Sequence, residues 1–229
     1  MYTVKEILKA LNECSFSHLC SSTVDAKIRD HLPEEMEEDC RYDDGATKFV
    51  IIPRDADFVI KVPYSCEENE EWYDYDDDDD EDNCFNQYLE FSNSGYGDGW
   101  DYCEAEVAVY EEAKAEGIEQ FFVETSLVGY ANYYPIYMQK KVEMFSWGSH
   151  NSAEENHRKS TKAENHCKSK GLCCFQSIWI GDFLDCYGAE AFDKLYWFLR
   201  DRSIMDLHPG NLGYDNGRPV IVDYGDYRD

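Results

Sequence analysis

The stretch Asp206–Tyr227, DLHPGNLGYDNGRPVIVDYGDY, sets three metal-grade side chains in a strand–turn–strand frame. Asn211 follows Asp206 by five positions, and Asp223 lies twelve beyond that. DLHPGN has strong turn chemistry, so Asp206 and Asn211 are at home in a turn, with His208 a turn or supporting residue. Asp223 comes directly after Val220, Ile221 and Val222, where an unpaired carboxylate is costly. Of the three, it most needs a functional partner.

Working outward, Thr3 to Glu6 reads T-x-x-E ahead of Val4, Ile7, Leu8 and Leu11, a capping-box helix start. A second helix is expected over 24–31, stopping at Pro33. ATKFVII (46–52) and DFVIKVPY (57–64) are rich in Val, Ile and Phe and are joined by PRDAD, which predicts a hairpin with Lys61 inside its second strand. A helix is expected over 103–117, with Val107, Tyr110 and Ala113 on one face and Gly117 as its stop. FFVETSLVGY (121–130) and YPIYMQKKVEMF (134–145) read as two more strands. Residues 146–174 are polar and low in apolar content, which predicts a loop. It carries His157, His166, Cys167, Cys173 and Cys174, whose spacing fits no standard zinc pattern. Residues 178–202 read as a short and a longer helix, with Phe192, Leu195, Tyr196 and Leu199 as a core face. The sum is α+β, with a small antiparallel sheet lobe and a helical lobe.

The composition narrows the partners. Forty-nine acidic residues against 21 basic ones give a net charge of −28, which disfavours direct contact with nucleic acid or anionic membrane and favours a basic protein partner. Residues 67–101 hold fifteen Asp or Glu and no Lys or Arg, so a mobile acidic insertion is expected there, with 67–82 its most charged part. The D-x-[DN]-x-[DN]-G spacing of a calcium loop is absent from it. Ten cysteines without a secretory leader pattern predict reduced thiols. A soluble, cytoplasmic chain is expected.

DLHPGN resembles the catalytic loop of the protein-kinase-like superfamily, in particular its aminoglycoside- and small-molecule-kinase branch, and VDYG resembles the D-F-G motif with Tyr224 in the Phe position. VIK at 59–61 is similar to the V-A-I-K strand, Glu106 sits in the helix that follows, and IYMQKKVE (136–143) occupies the place of the strand entering the interlobe hinge. The resemblance implies a two-lobed fold. It covers roughly residues 42–227 and implies a sheet lobe over 41–145 with an acidic insertion at about 65–102 and a reduced helical lobe over 146–229, preceded by the N-terminal helical segment over 1–40 that the residues themselves predict. It also implies ATP and Mg²⁺ as cofactors. Lys61 would hold phosphate oxygens, Glu106 would fix that lysine, and Gly45, Met138 and Lys140 would line the nucleotide. Asn211 and Asp223 would ligate Mg²⁺, and Asp206 would orient the acceptor hydroxyl and take its proton.

Three departures stand beside the resemblance. DDGAT has one glycine where the family has a glycine-rich loop. Ile204 and Met205 replace the usual His and Arg. Four residues follow Gly225, as in a minimal form truncated just after the D-F-G-like motif. Two functions are therefore expected in competition. One is an ATP- and Mg²⁺-dependent phosphotransferase of unknown acceptor. The other is a non-catalytic, kinase-like acidic protein that engages a basic partner or mimics nucleic acid.

Overall fold

A computed structural model describes residues 2–13, 36, 39–44, 48–63, 100–131, 134–145, 152–172, 177–204 and 207–225. The helix expected over 24–31 and the acidic segment 67–99 lie outside the described residues. The architecture is α+β, and the chain divides into two units. The first comprises Met1–Val107 and Thr125–Lys141, and the second Ala108–Glu124 and Val142–Asp229.

In the first unit, helix α1 (Val4–Glu13) accompanies a five-stranded antiparallel sheet. The strands are β1 (Cys40–Asp44), β2 (Lys48–Pro53), β3 (Phe58–Pro63), β4 (Thr125–Ala131) and β5 (Tyr134–Lys140), in the order β1-β2-β3-β5-β4. The capping box forms: Thr3 N–H donates to Glu6 Oε2 at 2.8 Å, and Glu6 N–H donates to Thr3 Oγ1 at 3.4 Å. Ile7, Ala10 and Leu11 fall three and four residues apart, so α1 presents one apolar stripe. That stripe packs with Phe49, Ile51, Ile60, Val62, Ala131 and Ile136 in one core. Side chains alternate across a strand, so this packing fixes what faces the other way. Val50 pairs with Lys61, and Lys61 with Tyr137, which puts Lys48, Lys61, Tyr137 and Gln139 on the opposite face.

Helix α2 (Trp100–Ala115) follows, and Gly117 beyond it adopts a left-handed φ of 69°. In the second unit Val109, Ala113, Phe121 and Phe122 join the core built by helices α3 (Ala153–Lys170), α4 (Ser177–Tyr187) and α5 (Ala189–Asp201). A three-stranded sheet of β6 (Glu143–Met144), β7 (Leu212–Asp215) and β8 (Arg218–Ile221) completes it. Asn216 and Gly217, both at positive φ, close the β7–β8 hairpin.

Two sequence expectations are corrected. Residues 134–145 are not one strand, because the run breaks at Lys141–Val142 into β5 and β6, which belong to different sheets. Residues 146–174 are not a loop, because α3 occupies most of them. This helix buries only Lys159, Ala163 and Cys167, a narrow seam at intervals of four, so it lacks the apolar stripe that announces a helix. Its ends and its charges hold it. Ser152 Oγ accepts from Glu155 N–H, and Gly171, at φ 68°, closes a Schellman turn in which Leu172 N–H donates to Cys167 O at 2.9 Å. Arg158 and Lys162 pair with Asp185, Lys159 with Asp182, and His166 and Lys170 with Asp193, tying α3 to α4 and α5. Gly181 permits the contact, since a Cβ there would lie 2.6 Å from the Lys159 backbone oxygen.

Candidate functional site

The polar face of the first unit's sheet gathers four side chains around Glu106 of α2. Lys61 Nζ donates to Glu106 Oε2 at 2.6 Å, and Lys48 Nζ donates to Glu106 Oε1 at 3.0 Å. Thr125 Oγ1 donates to Glu106 Oε2 at 2.7 Å, and Gln139 Nε2 donates to Thr125 Oγ1 at 2.9 Å. Glu106 has no exposed surface, and Lys61 and Lys48 keep 3% and 4%. Charges buried to this degree persist only when paired, and each partner here fixes the others. β3 positions Lys61, β2 positions Lys48, and the β4–β5 pairing of Thr125 with Gln139 brings the last two members together.

The second unit organises the 206–227 stretch. Pro209–Asn211 forms a 3₁₀ turn capped by His208, whose Nδ1 accepts from Gly210 N–H at 3.0 Å. A Cβ on Gly210 would come within 2.7 Å of the His208 ring, so a larger residue there would make the ring shift from this cap. The Asn211 carbonyl accepts from Val222 N–H at 2.8 Å and from Asp223 N–H at 3.3 Å. The backbone thus sets Asn211 beside Asp223. Tyr224 is buried and donates its hydroxyl to Val123 O at 2.7 Å, while its ring meets Phe122 edge-on at 5.0 Å. This anchor fixes the residue next to Asp223.

The expected site residues therefore fall into sets. Lys61 and Glu106 meet in the first unit, and Asn211 and Asp223 are stitched together in the second. Met138 pairs with Ile60 and packs on the α1 side of the sheet, away from the Lys61 face. Lys140 is exposed at the end of β5. Asp206 and Gly45 lie outside the described residues. Sequence reasoning missed Lys48, Thr125 and Gln139 as members of the buried network. Lys48 had a signal: it precedes Phe49 and lies two residues before Val50, so strand alternation puts it on the face of Lys61.

Chemically, buried ammonium groups suit phosphate oxygens, and the Asn211 amide and Asp223 carboxylate are the hard oxygen donors that Mg²⁺ takes. Among the described residues no group of three or more His, Cys, Asp or Glu could hold a metal ion. His166 is engaged by Asp193 at 2.6 Å, His157 is exposed, and Cys173 and Cys174 lie outside the described residues. The Cys40, Cys103 and Cys167 side chains are buried, and Cys186 is exposed.

No protein-family model matches this chain, and no curated protein matches its sequence. No described helix is long and apolar enough to cross a membrane.

Proposed function

We propose that the chain is an ATP- and Mg²⁺-dependent phosphotransferase with a two-lobed, protein-kinase-like fold. The observation that carries this reading is the pairing of Lys61 with Glu106 at 2.6 Å in a buried setting. A strand lysine fixed by a helix glutamate is the arrangement that holds nucleotide phosphates in kinase-like enzymes. A merely structural lysine more often lays its stem along the surface and keeps its ammonium in water.

In this reading each unit contributes its own chemistry. Lys61 binds phosphate oxygens and Glu106 orients it, with Lys48 adding a second ammonium on the same carboxylate. Asn211 and Asp223 hold Mg²⁺, which supplies charge neutralisation on the phosphates when bound. Asp206 orients the acceptor hydroxyl and takes its proton. The acceptor itself is left open by these residues.

The test is a thermal-shift titration with ATP, with and without Mg²⁺, on the wild type, Lys61→Met and Asp223→Asn, together with an ATP-consumption assay. A ligand that binds the native state raises Tm by mass action. The expected result is a Mg²⁺-dependent rise in the wild type that both variants lose. No rise and no ATP consumption in the wild type would end this reading and leave the Glu106 network as a structural device.

A further inference from the structure

The outer face of α5 borders an open groove of about 410 Å³ within the second unit. Glu190, Asp193, Lys194, Trp197 and Asp201 recur at helical spacing along it, opposite the core residues Phe192, Leu195, Tyr196 and Leu199. We propose that this groove docks an arginine- or lysine-bearing segment of a protein partner. The proposal is independent of the phosphotransferase reading.

Trp197 carries the first part of the argument. It sits between the buried Tyr196 and Phe198 yet leaves 47% of its surface exposed. The core already has its full stripe from α5, so packing does not explain an indole at this position. Aromatic side chains left exposed in a groove are typical anchors of protein interfaces. The Arg200 guanidinium of the chain itself lies 5.2 Å from the Trp197 ring centroid, so one face of this indole is covered by a cation and a partner's arginine would use the part of the ring that remains exposed.

Charge supplies the second part. Of the carboxylates around the groove, Glu116 is engaged by Arg202, and Asp193 by His166 and Lys170. Glu190 is 92% exposed, with its ion pair to Lys194 stretched to 3.9 Å, and Asp201 is exposed. These two carboxylates flank the indole along the helix. Glu190 and Asp201 are eleven residues apart, roughly 16 Å along the helix, so a segment with several cationic side chains is needed to engage both carboxylates and the indole between them, and arginine suits the indole best. An open groove encloses too little of a small cation to hold it alone, so the cation must arrive on a larger scaffold. The net charge of −28 attracts a basic protein and repels a nucleic acid.

The probe is a fluorescein-labelled (Arg-Gly)₄ peptide, with (Gln-Gly)₄ as its uncharged counterpart, followed by anisotropy on the full chain. The wild type should bind the arginine peptide and not the glutamine one. Trp197→Ala, and separately Glu190→Gln with Asp201→Asn, should weaken binding at least tenfold, while Trp197→Phe retains most of it. Replacing Asp76–Asp80 with Ser removes more charge without touching a residue that lines the groove, and should change binding less than Trp197→Ala does. Unchanged melting temperatures establish that the variants remain folded, as expected for exposed positions. The proposal is overturned if the wild type does not bind the arginine peptide. It is equally overturned if the groove variants bind like wild type, or if the Asp76–Asp80 replacement weakens binding as much as Trp197→Ala, which would assign the effect to bulk charge.

Discussion

The Lys61 ammonium and the Glu106 carboxylate lie 2.6 Å apart, and Glu106 has no exposed surface at all. Two consequences differ in size. Glu106→Ala removes the one carboxylate that Lys48, Lys61 and Thr125 share. Breaking a buried pair in this way costs about 3–5 kcal/mol. Lys61→Met leaves Glu106 its bonds from Lys48 and Thr125, so its cost should be clearly smaller. Urea denaturation of both variants checks the order. A Glu106→Ala cost below about 1 kcal/mol would mean that the carboxylate does not organise this face of the sheet.

Part of this network was legible in the sequence and part was not. Lys61 stands out because it interrupts an apolar strand, whereas Glu106 is singled out only by the resemblance, since Glu104 and Glu111 lie on the same helix. Thr125 and Gln139 have no such signal, since their meeting depends on β4–β5 register, which includes an irregularity between Leu127 and Gly129. The β2–β3 hairpin and α4–α5 formed where their apolar runs place them. Strand β1, CRYDD, carries no apolar run and is held by pairing with β2. The break at Lys141 is also silent in sequence, yet the structure gives a reason: Lys141 Nζ donates to Pro53 O at 2.8 Å and to Arg54 O at 3.1 Å, ending β5 against the β2–β3 turn.

Helix α3 was missed because its stability lies at its ends and in its charges. Its caps should therefore matter more than its interior. Ser152→Ala removes the acceptor for Glu155 N–H and should cost about 1 kcal/mol. Gly171→Ala meets no neighbouring atom within 4 Å, so its cost is the left-handed backbone alone, about 1 kcal/mol. The two sites lie at opposite ends of an 18-residue helix and should add. Denaturation midpoints of the two single variants and the double variant check this. A double variant as stable as wild type would show that the ion pairs hold α3 unaided.

Asp185 offers a pH test. The hydrogen bond from Arg158, opposed by partial burial and aided by Lys162, holds its carboxyl below the usual aspartate range. The folded state then keeps this carboxylate ionised at pH values where the unfolded chain has protonated it. The contribution is complete above the unfolded pKa of about 3.9 and is lost as pH falls through the lower folded value. Acid also relieves the self-repulsion of a chain at −28, so the wild-type curve alone mixes two effects. The difference between wild type and Asp185→Asn separates them. That difference should be largest near pH 7 and shrink steadily below about pH 4. A difference that stays constant down to pH 2.5 would contradict the assignment.

The backbone bond from Asp223 N–H to Asn211 O, at 3.3 Å, gives the last prediction. It holds the two proposed Mg²⁺ ligands side by side whatever the side chain at 223, so Asp223→Asn should fold and keep its stability within about 1 kcal/mol. Its effect should appear in the ligand response. At ATP·Mg²⁺ a hundredfold above Kd, binding contributes about 2.7 kcal/mol, on the order of 5–10 °C in Tm for a chain of this size. Chelating the metal with EDTA should remove most of that rise in the wild type. In Asp223→Asn the responses with Mg²⁺ and with EDTA should coincide. Tyr224→Phe is the companion variant: it deletes the hydroxyl that donates to Val123 O and leaves the carboxylate in place. It should lose about 1 kcal/mol of stability while keeping a Mg²⁺-dependent rise. If Asp223→Asn retains the full metal-dependent shift, Asp223 is not a Mg²⁺ ligand, and its place after the apolar run of β8 must be explained by folding alone.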